Sequence, residues 1–257
     1  MSNLIIVRHG QSKWNKLKRF TGWVDVSLHL NGELEASKAG KLIKKLDFKL
    51  DYFFSSYQKR AINTLELIMD TLKIKKDKII KAWELNERHY GELTGLNKVE
   101  MKKVYGEKKI HIFRRSWDMS PAPLNKNSQY HPLNIEIYNN IPKNKIPDTE
   151  SLKSTYKRVV SYYLKNIEPL IQNGQNVLIS AHGNSLRALC KKLFNISDTN
   201  IQRLVIPTGN PLLIKFKDNL KIDSRIFVAC ARISVADLNA TIEEKVSFDG
   251  LVKKLSI

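Results

Sequence analysis

Two apolar runs in this sequence end on the pair histidine–glycine. Leu4-Ile5-Ile6-Val7 leads into Arg8-His9-Gly10, and Val177-Leu178-Ile179-Ser180-Ala181 leads into His182-Gly183-Asn184. A neutral imidazole is a good nucleophile toward phosphorus, and an adjacent guanidinium grips phosphate oxygens in a fork. Glycine turns the chain sharply and leaves the ring uncovered. If both runs are central, parallel strands, both rings project into one crevice at the strands' carboxyl ends, where open α/β sheets bind ligands. His9 would then attack phosphorus while a protonated His182 stabilises charge on the equatorial oxygens. A carboxylic acid must also protonate the leaving alkoxide and later deprotonate the incoming hydroxyl. Glu87, in Asn86-Glu87-Arg88-His89-Tyr90-Gly91 at the end of a third apolar run, stands where that group is needed. Arg60 falls in the first turn of a helix, where a cation opposes the helix dipole unless an anion sits nearby. With Arg8 and His182 it would hold the transferring phosphoryl group. Each feature also has a plainer reading: a histidine that caps a loop, an exposed arginine, a carboxylate that pairs with a neighbouring arginine.

Other chemistries have no foothold in the sequence. It contains no Walker-type phosphate loop, GxGxxG, HExxH, GxSxG or cysteine cluster. The acidic residues do not fall into a metal-ligand pattern, so the expectation is a reaction without a metal. His29, His111 and His131 lie in loops or mixed segments and are read as non-catalytic, His89 as shaping the Glu87 loop, and the four tryptophans as packing.

The elements that must position these residues alternate between strand and helix. After the first strand comes a polar loop, Gln11 to Leu30, with Trp14, Asn15, Thr21, Gly22 and Trp23. Asn31-Gly32-Glu33 opens a helix with Leu34, Leu42, Ile43 and Leu46 on one face. Tyr52 to Ser55 is a strand, followed by a helix with Ala61, Leu65, Ile68, Met69 and Leu72 inward; Lys78 to Leu85 is a third strand. Between about 94 and 150 helical pieces appear near Lys98–Tyr105 and Lys109–Trp117, and then Pro121, Pro123, Pro132, Pro142 and Pro147 rule out long elements. This stretch reads as an insertion over the active site within a single domain spanning 1–257, and it carries Lys98, Arg114 and Arg115. A long amphipathic helix starts at Thr149 or Ser151, with Pro169 kinking or interrupting it. A helix from Ser185 to Phe194 follows the second His–Gly pair, and Leu212–Phe216 and Arg225–Ala229 read as two more strands. The expected fold is α/β, a mostly parallel central sheet with helices on both faces.

The 257 residues can bury a sizeable core, with 42% hydrophobic residues and no run long enough to span a membrane. No secretory signal is read at the N-terminus, and Cys190 and Cys230 form no CxxC pair; a cytoplasmic protein with a reduced, buried Cys190 is expected. The net charge of +19 is large. It fits an anionic small substrate drawn in by the protein's field, a nucleic-acid partner, or a lysine-rich solvated surface. The lysines are scattered and form no continuous basic stripe interleaved with aromatics. Neither a nucleic-acid nor a membrane partner is therefore expected.

The same residues resemble the cofactor-dependent phosphoglycerate mutases of the histidine phosphatase superfamily. The resemblance runs through Arg8-His9-Gly10-Gln11-Ser12-Lys13-Trp14-Asn15, Phe20-Thr21-Gly22-Trp23, and Ser55-Ser56 through Arg60. It continues through Glu87-Arg88-His89-Tyr90-Gly91 to Gly95-Leu96-Asn97-Lys98, then Arg114-Arg115, Ala181-His182-Gly183-Asn184-Ser185-Leu186-Arg187 and Ile206-Pro207-Thr208-Gly209. It implies that His9 is phosphorylated, primed by 2,3-bisphosphoglycerate, and exchanges its phosphoryl group with 2- and 3-phosphoglycerate in glycolysis and gluconeogenesis. Glu87 would move the proton and His182 stabilise the transition state, without a metal. Arg8, Asn15, Thr21, Gly22, Arg60, Glu87, Arg88, Tyr90, Lys98, Arg114, Arg115, Gly183 and Asn184 would bind substrate. A bisphosphoglycerate carries a charge of roughly −4 to −5, which Arg8, Arg60, Arg88, Lys98, Arg114 and Arg115 can neutralise. The family also implies a homodimer. Two departures stand out. Gln11 replaces the family's usual Glu, and the tail from about 227 to 257, beginning Ala229-Cys230-Ala231-Arg232-Ile233, does not follow the family's pattern. A phosphatase on the same fold, in which water takes the phosphoryl group, is the nearest alternative; Lys98, Arg114 and Arg115 favour the mutase.

Overall fold

The computed structural model describes residues 1–217 and 220–227. In chain order the elements are β1 (Ser2–Arg8), α1 (Lys13–Lys16), α2 (Leu30–Lys44), β2 (Tyr52–Ser55), α3 (Lys59–Leu72) and β3 (Ile79–Lys81). They continue with α4 (Lys98–Tyr105), α5 (Glu107–Arg115), α6 (Leu152–Tyr162), α7 (Glu168–Gln172), β4 (Val177–Ala181), α8 (Gly183–Leu193), β5 (Pro211–Phe216) and β6 (Ile222–Phe227). The six strands form one sheet in the order β3-β2-β4-β1-β5-β6. Pairings β1–β4, β2–β4 and β2–β3 are parallel, whereas β1–β5 and β5–β6 are antiparallel.

Burial explains why β1 and β4 are the inner strands. Successive side chains of a strand point to opposite faces, and in β1 both sets are fully buried. Leu4 and Ile6 join Leu152, Val159, Leu186 and Leu189 under α6 and α8, while Ile5 and Val7 join Ala39, Ile43, Leu65 and Met69 under α2 and α3. Arg8 lies opposite Ala181 in the parallel register, so both strands end at the same level and release His9 and His182 side by side. Antiparallel β5 runs back beside β1, and Gly209 N–H donates to the Arg8 carbonyl, 2.9 Å.

Several expectations need correction. The third strand is short: only Ile79–Lys81 pairs with β2, and Trp83–Leu85 is a 3-10 turn that buries Leu85 and swings Asn86–His89 over the sheet's carboxyl edge. Leu34 is 70% exposed: it lies on the outer face of α2 with Lys38 and Lys41, while Gly32, Ala36, Ala39, Gly40 and Ile43, at helical spacing, make the inward face with Leu42. The interruption expected near Pro169 is present: the long helix from Ser151 is split by a π-helical turn at Tyr163–Ile167, which brings Pro169 to the start of α7, where its missing N–H costs no hydrogen bond. The expected strand Arg225–Ala229 is seen as β6 to Phe227; Ala229, Cys230 and the rest of the divergent tail lie outside the described residues. The segment 94–150 holds α4 and α5 and then only short 3-10 turns. It packs through Ile110 and Phe113 on Phe20 and Leu93, and through Tyr138 and Ile141 on Trp23.

Candidate active site

His9 is buried at the end of β1, its N–H bonded to the Ala181 carbonyl at 2.9 Å and its ring Nδ1 2.7 Å from the Gly10 carbonyl. A carbonyl only accepts, so the ring proton is on Nδ1 and the lone pair of Nε2 is free to attack. Gly10 makes this placement possible. Its N–H donates to Thr64 Oγ1 (3.0 Å), and a Cβ there would stand 2.1 Å from the Gly32 carbonyl oxygen at the start of α2.

The His182 ring lies 5.0 Å from the His9 ring, centroid to centroid, tilted by 59°. Ser56 Oγ accepts from the Gln58 N–H at 3.1 Å and sits 2.7 Å from His182 Nε2. We assign the serine proton to Nε2, which leaves the His182 proton on Nδ1, a buried donor with no protein partner. Burial, reinforced by Arg60 at both rings, by Arg8 at His9 and by His9 at His182, holds both imidazoles well below their ordinary pKa. In the empty site burial therefore disfavours the protonated form of His182. An arriving phosphoryl dianion opposes the guanidinium charges and draws a proton onto the ring.

Arg60, 1% exposed, donates to the Gly22 and Val24 carbonyls at 2.9 Å each. Burial lowers its pKa, with Glu87 opposing the shift. Gln58 cross-braces the site, donating to Gly22 O (2.8 Å) and accepting from the Glu87 N–H (3.0 Å). Glu87 is 8% exposed, and its Oε1 accepts from the Arg88 N–H (2.8 Å) and the Asn184 N–H (3.1 Å). A Cβ on Gly183 would lie 3.7 Å from Glu87 Oε2 and 3.5 Å from the Arg8 guanidinium, so Gly183 keeps the floor open between acid and cation.

A cleft opens beside these groups, lined by Arg8, Glu87, Tyr90, Arg114, Arg115, Gly183, Asn184, Arg187, Val205 and Ile206. One carboxylate faces four guanidiniums there, which makes it an anion site. Arg8 donates to the Ile206 carbonyl (2.8 Å) and Arg115 to the Leu204 carbonyl (3.2 Å). Arg88 is fully buried, bonded to the Phe113 carbonyl and stacked over the Tyr90 ring at 4.8 Å. The Nε atoms of Arg8, Arg88 and Arg187 have no protein acceptor, so the cation set has unspent donors for an anionic ligand. Burial and the neighbouring Arg114 bring Lys98 down to about 8.

Some expected binding residues serve the scaffold. The Asn15 side chain accepts from the Ser12 N–H in a capping box that starts α1, and the Gly22 carbonyl faces Gln58 and Arg60, with Gly22 at φ +53. Arg187 was not singled out from the sequence, yet it is buried in the cleft wall, holds Asn184 Oδ1 at 2.9 Å, and has its pKa lowered to about 9 by burial and by Arg115. Asn184 in turn donates to the Tyr90 hydroxyl at 3.0 Å. Ser56, Gln58 and Thr64 also brace the site; Ser56 and Gln58 fall inside the Ser55-Ser56 through Arg60 motif without a role read for them, and Thr64 shows only as a polar residue on an apolar helix. Among the described residues no cluster of three or more His, Cys, Asp or Glu side chains is placed to hold a metal ion.

Two neighbouring imidazoles, a glutamate side chain and a ring of guanidiniums gathered at one sheet edge are the groups that a phosphoryl transfer needs. The sequence matches the histidine phosphatase superfamily (branch 1) over residues 4–132 and 124–222. It is 62% identical over 223 residues to a Pelagibacter ubique protein named 2,3-bisphosphoglycerate-dependent phosphoglycerate mutase, covering 86% of this chain and 93% of that one. A Treponema denticola protein of the same name is 45% identical over 237 residues, covering 92% and 96%. In solved structures the fold resembles a mycobacterial glucosyl-3-phosphoglycerate phosphatase complexed with VO3, at a TM-score of 0.62 and 20% identity, covering 83% of this chain and 92% of that one. It also resembles the α-ribazole phosphatase of Shigella flexneri, at a TM-score of 0.60 and 18% identity, covering 86% and 95%. The chain belongs to the histidine phosphatase superfamily and, within it, to the 2,3-bisphosphoglycerate-dependent phosphoglycerate mutases.

Proposed function

We propose that this protein interconverts 3-phosphoglycerate and 2-phosphoglycerate, an isomerisation of glycolysis and gluconeogenesis, through a phosphohistidine at His9. The observation that carries the reading is the free Nε2 of His9 beside His182, in a cleft where Glu87 stands among arginines. 2,3-Bisphosphoglycerate supplies the phosphoryl group that primes the enzyme. Arg8, Lys98, Arg114 and Arg115 would hold its phosphates and carboxylate, since the cleft offers more cation than its one acid can neutralise.

Four tasks fall to the chain's own residues. His9 Nε2 attacks phosphorus, and its Nδ1–H on the Gly10 carbonyl stabilises the cationic ring that results. His182 Nδ1–H, set by Ser56, donates to the equatorial oxygens, with the charge of Arg8 and Arg60 behind it. Glu87 gives its proton to the departing alkoxide oxygen and takes one from the hydroxyl that attacks in the return step. Buried walls keep water from the reacting centre. We further read the chain as one domain over residues 1–257, cytoplasmic, acting on small anions as a homodimer without nucleic-acid partners. Among the described residues no helix is long and apolar enough to cross a membrane.

The reading is tested by supplying 3-phosphoglycerate with and without 2,3-bisphosphoglycerate. Formation of 2-phosphoglycerate that depends on the bisphosphate supports it; release of inorganic phosphate as the main product gives the site to a phosphatase. Sedimentation at the monomer mass would overturn the homodimer.

A further inference from the structure

Arg158, on α6, does not touch the cleft, yet all five of its guanidinium donors are engaged at the back of the Glu87 loop. Nη1 donates to the Glu84 carbonyl (2.6 Å) and the Asn86 carbonyl (2.9 Å), and Nη2 to the Glu87 carbonyl (3.0 Å). Nε and Nη2 grip Glu150 Oε1 (2.7 Å) and Oε2 (2.8 Å) in a fork. Glu150 Oε2 also accepts from the His89 N–H (2.8 Å), and the Glu150 N–H donates to the His89 carbonyl (3.1 Å). The guanidinium lies over the Trp23 ring at 5.5 Å. The side chains are 10% and 4% exposed.

This arrangement is costly as a stability device. A buried ion pair returns little net stability, because desolvation offsets the Coulombic attraction. What it supplies is geometry. Three consecutive-turn carbonyls converge on one planar cation, and the main chain from Glu84 to His89 is fixed from outside while Glu87 Oε1 is fixed from inside by the Arg88 and Asn184 N–H groups. We propose that the Glu150–Arg158 pair is the positioning element that aims the Glu87 carboxyl at the substrate oxygen. The proposal rests on the reading of Glu87 as the group that moves the proton. Neither residue touches substrate; both act through the loop's backbone. An error on the order of 1 Å in such a group lowers the rate on the order of a hundredfold.

Arg158→Lys keeps the charge but offers three donors in place of five, in a geometry that cannot bridge the three carbonyls. The double variant Glu150→Gln/Arg158→Met removes both charges at similar volume, leaves no uncompensated ion, and keeps the question answerable if the lysine variant does not fold. Folding is checked by circular dichroism, and kcat, KM for 3-phosphoglycerate and the solvent deuterium isotope effect on kcat are measured on the folded variants. The expected result is a kcat lower on the order of 10- to 100-fold, KM within about twofold, and a larger isotope effect as proton transfer becomes limiting. A folded variant with wild-type kcat and isotope effect overturns the proposal, as does a loss that falls on KM alone. Glu87→Gln is run beside them: wild-type kcat in that variant would remove the underlying reading of Glu87, whatever Arg158 does.

Discussion

Stability should fall steeply in acid, because burial disfavours the protonated form of three imidazoles. His9, His182 and His89 are 3% exposed or less, and burial holds the first two well below 6.5 and brings His89 to about 4. In the unfolded chain each ring binds its proton near 6.5. Below that pH unfolding takes up protons that the folded chain refuses, so stability falls as pH falls. Near pH 5.5 His89 alone contributes almost one proton, a slope of about 1 kcal/mol per pH unit, and His9 and His182 add to it in the same direction. Between pH 7 and 5 the loss from His89 is about 2 kcal/mol, with His9 and His182 adding in the same direction, against the 5–15 kcal/mol that holds a typical domain. Urea denaturation in half-unit steps from pH 7.5 to 5.0, in a buffer free of phosphate, measures the slope. The His89→Asn variant keeps an acceptor for the Gly91 N–H and should lower it by about 1 kcal/mol per pH unit. A slope worth one proton or less at pH 5.5, or no change in the asparagine variant, would refute the argument.

Lys98, at about 8, should be neutral in much of the free enzyme above that pH. kcat/KM for 3-phosphoglycerate is therefore expected to fall through pH 8, and Lys98→Arg should move that limb to higher pH. Gly10→Ala places a methyl against the Gly32 carbonyl; it should cost about 1–3 kcal/mol in denaturant melts and lower kcat by displacing His9. Ser56→Ala removes the hydroxyl that sets the His182 tautomer; the expected result is a kcat about tenfold or more lower with KM little changed and a near-normal melting temperature.

The two His–Gly junctions were legible because strands buried on both faces leave uninterrupted apolar runs, and glycine after histidine marks the turn. Glu87 and Arg60 followed from their places at the next strand end and helix start. What sequence patterns could not show is bonding from side chain to backbone. Gln58 and Arg187 lie in quoted motifs but carried no assigned role, Thr64 read as an ordinary helix residue, and only the fold brings the three against Gly22, Asn184 and Gly10 respectively. Asn15 and Gly22 carried the resemblance, but their local bonds go to a capping box and to Gln58 and Arg60. How far burial lowers the pKa of His182 is likewise invisible in a motif. Ile79–Lys81 was over-extended because Trp83 and Leu85 are as apolar as strand residues while turning in a 3-10 helix. Leu34 was placed inward for its apolar side chain, although the small residues Gly32, Ala36, Ala39 and Gly40 set the inward face and put Leu34 on the opposite side with Lys38 and Lys41.

The most direct test of the account is to incubate wild type and His9→Gln with 2,3-bisphosphoglycerate labelled in its phosphates, and then to chase with unlabelled 3-phosphoglycerate. The account predicts acid-labile label on His9 in the wild type only, lost during the chase as labelled phosphoglycerates appear. Equal labelling of the glutamine variant, or label that leaves the wild type only as inorganic phosphate, would contradict it.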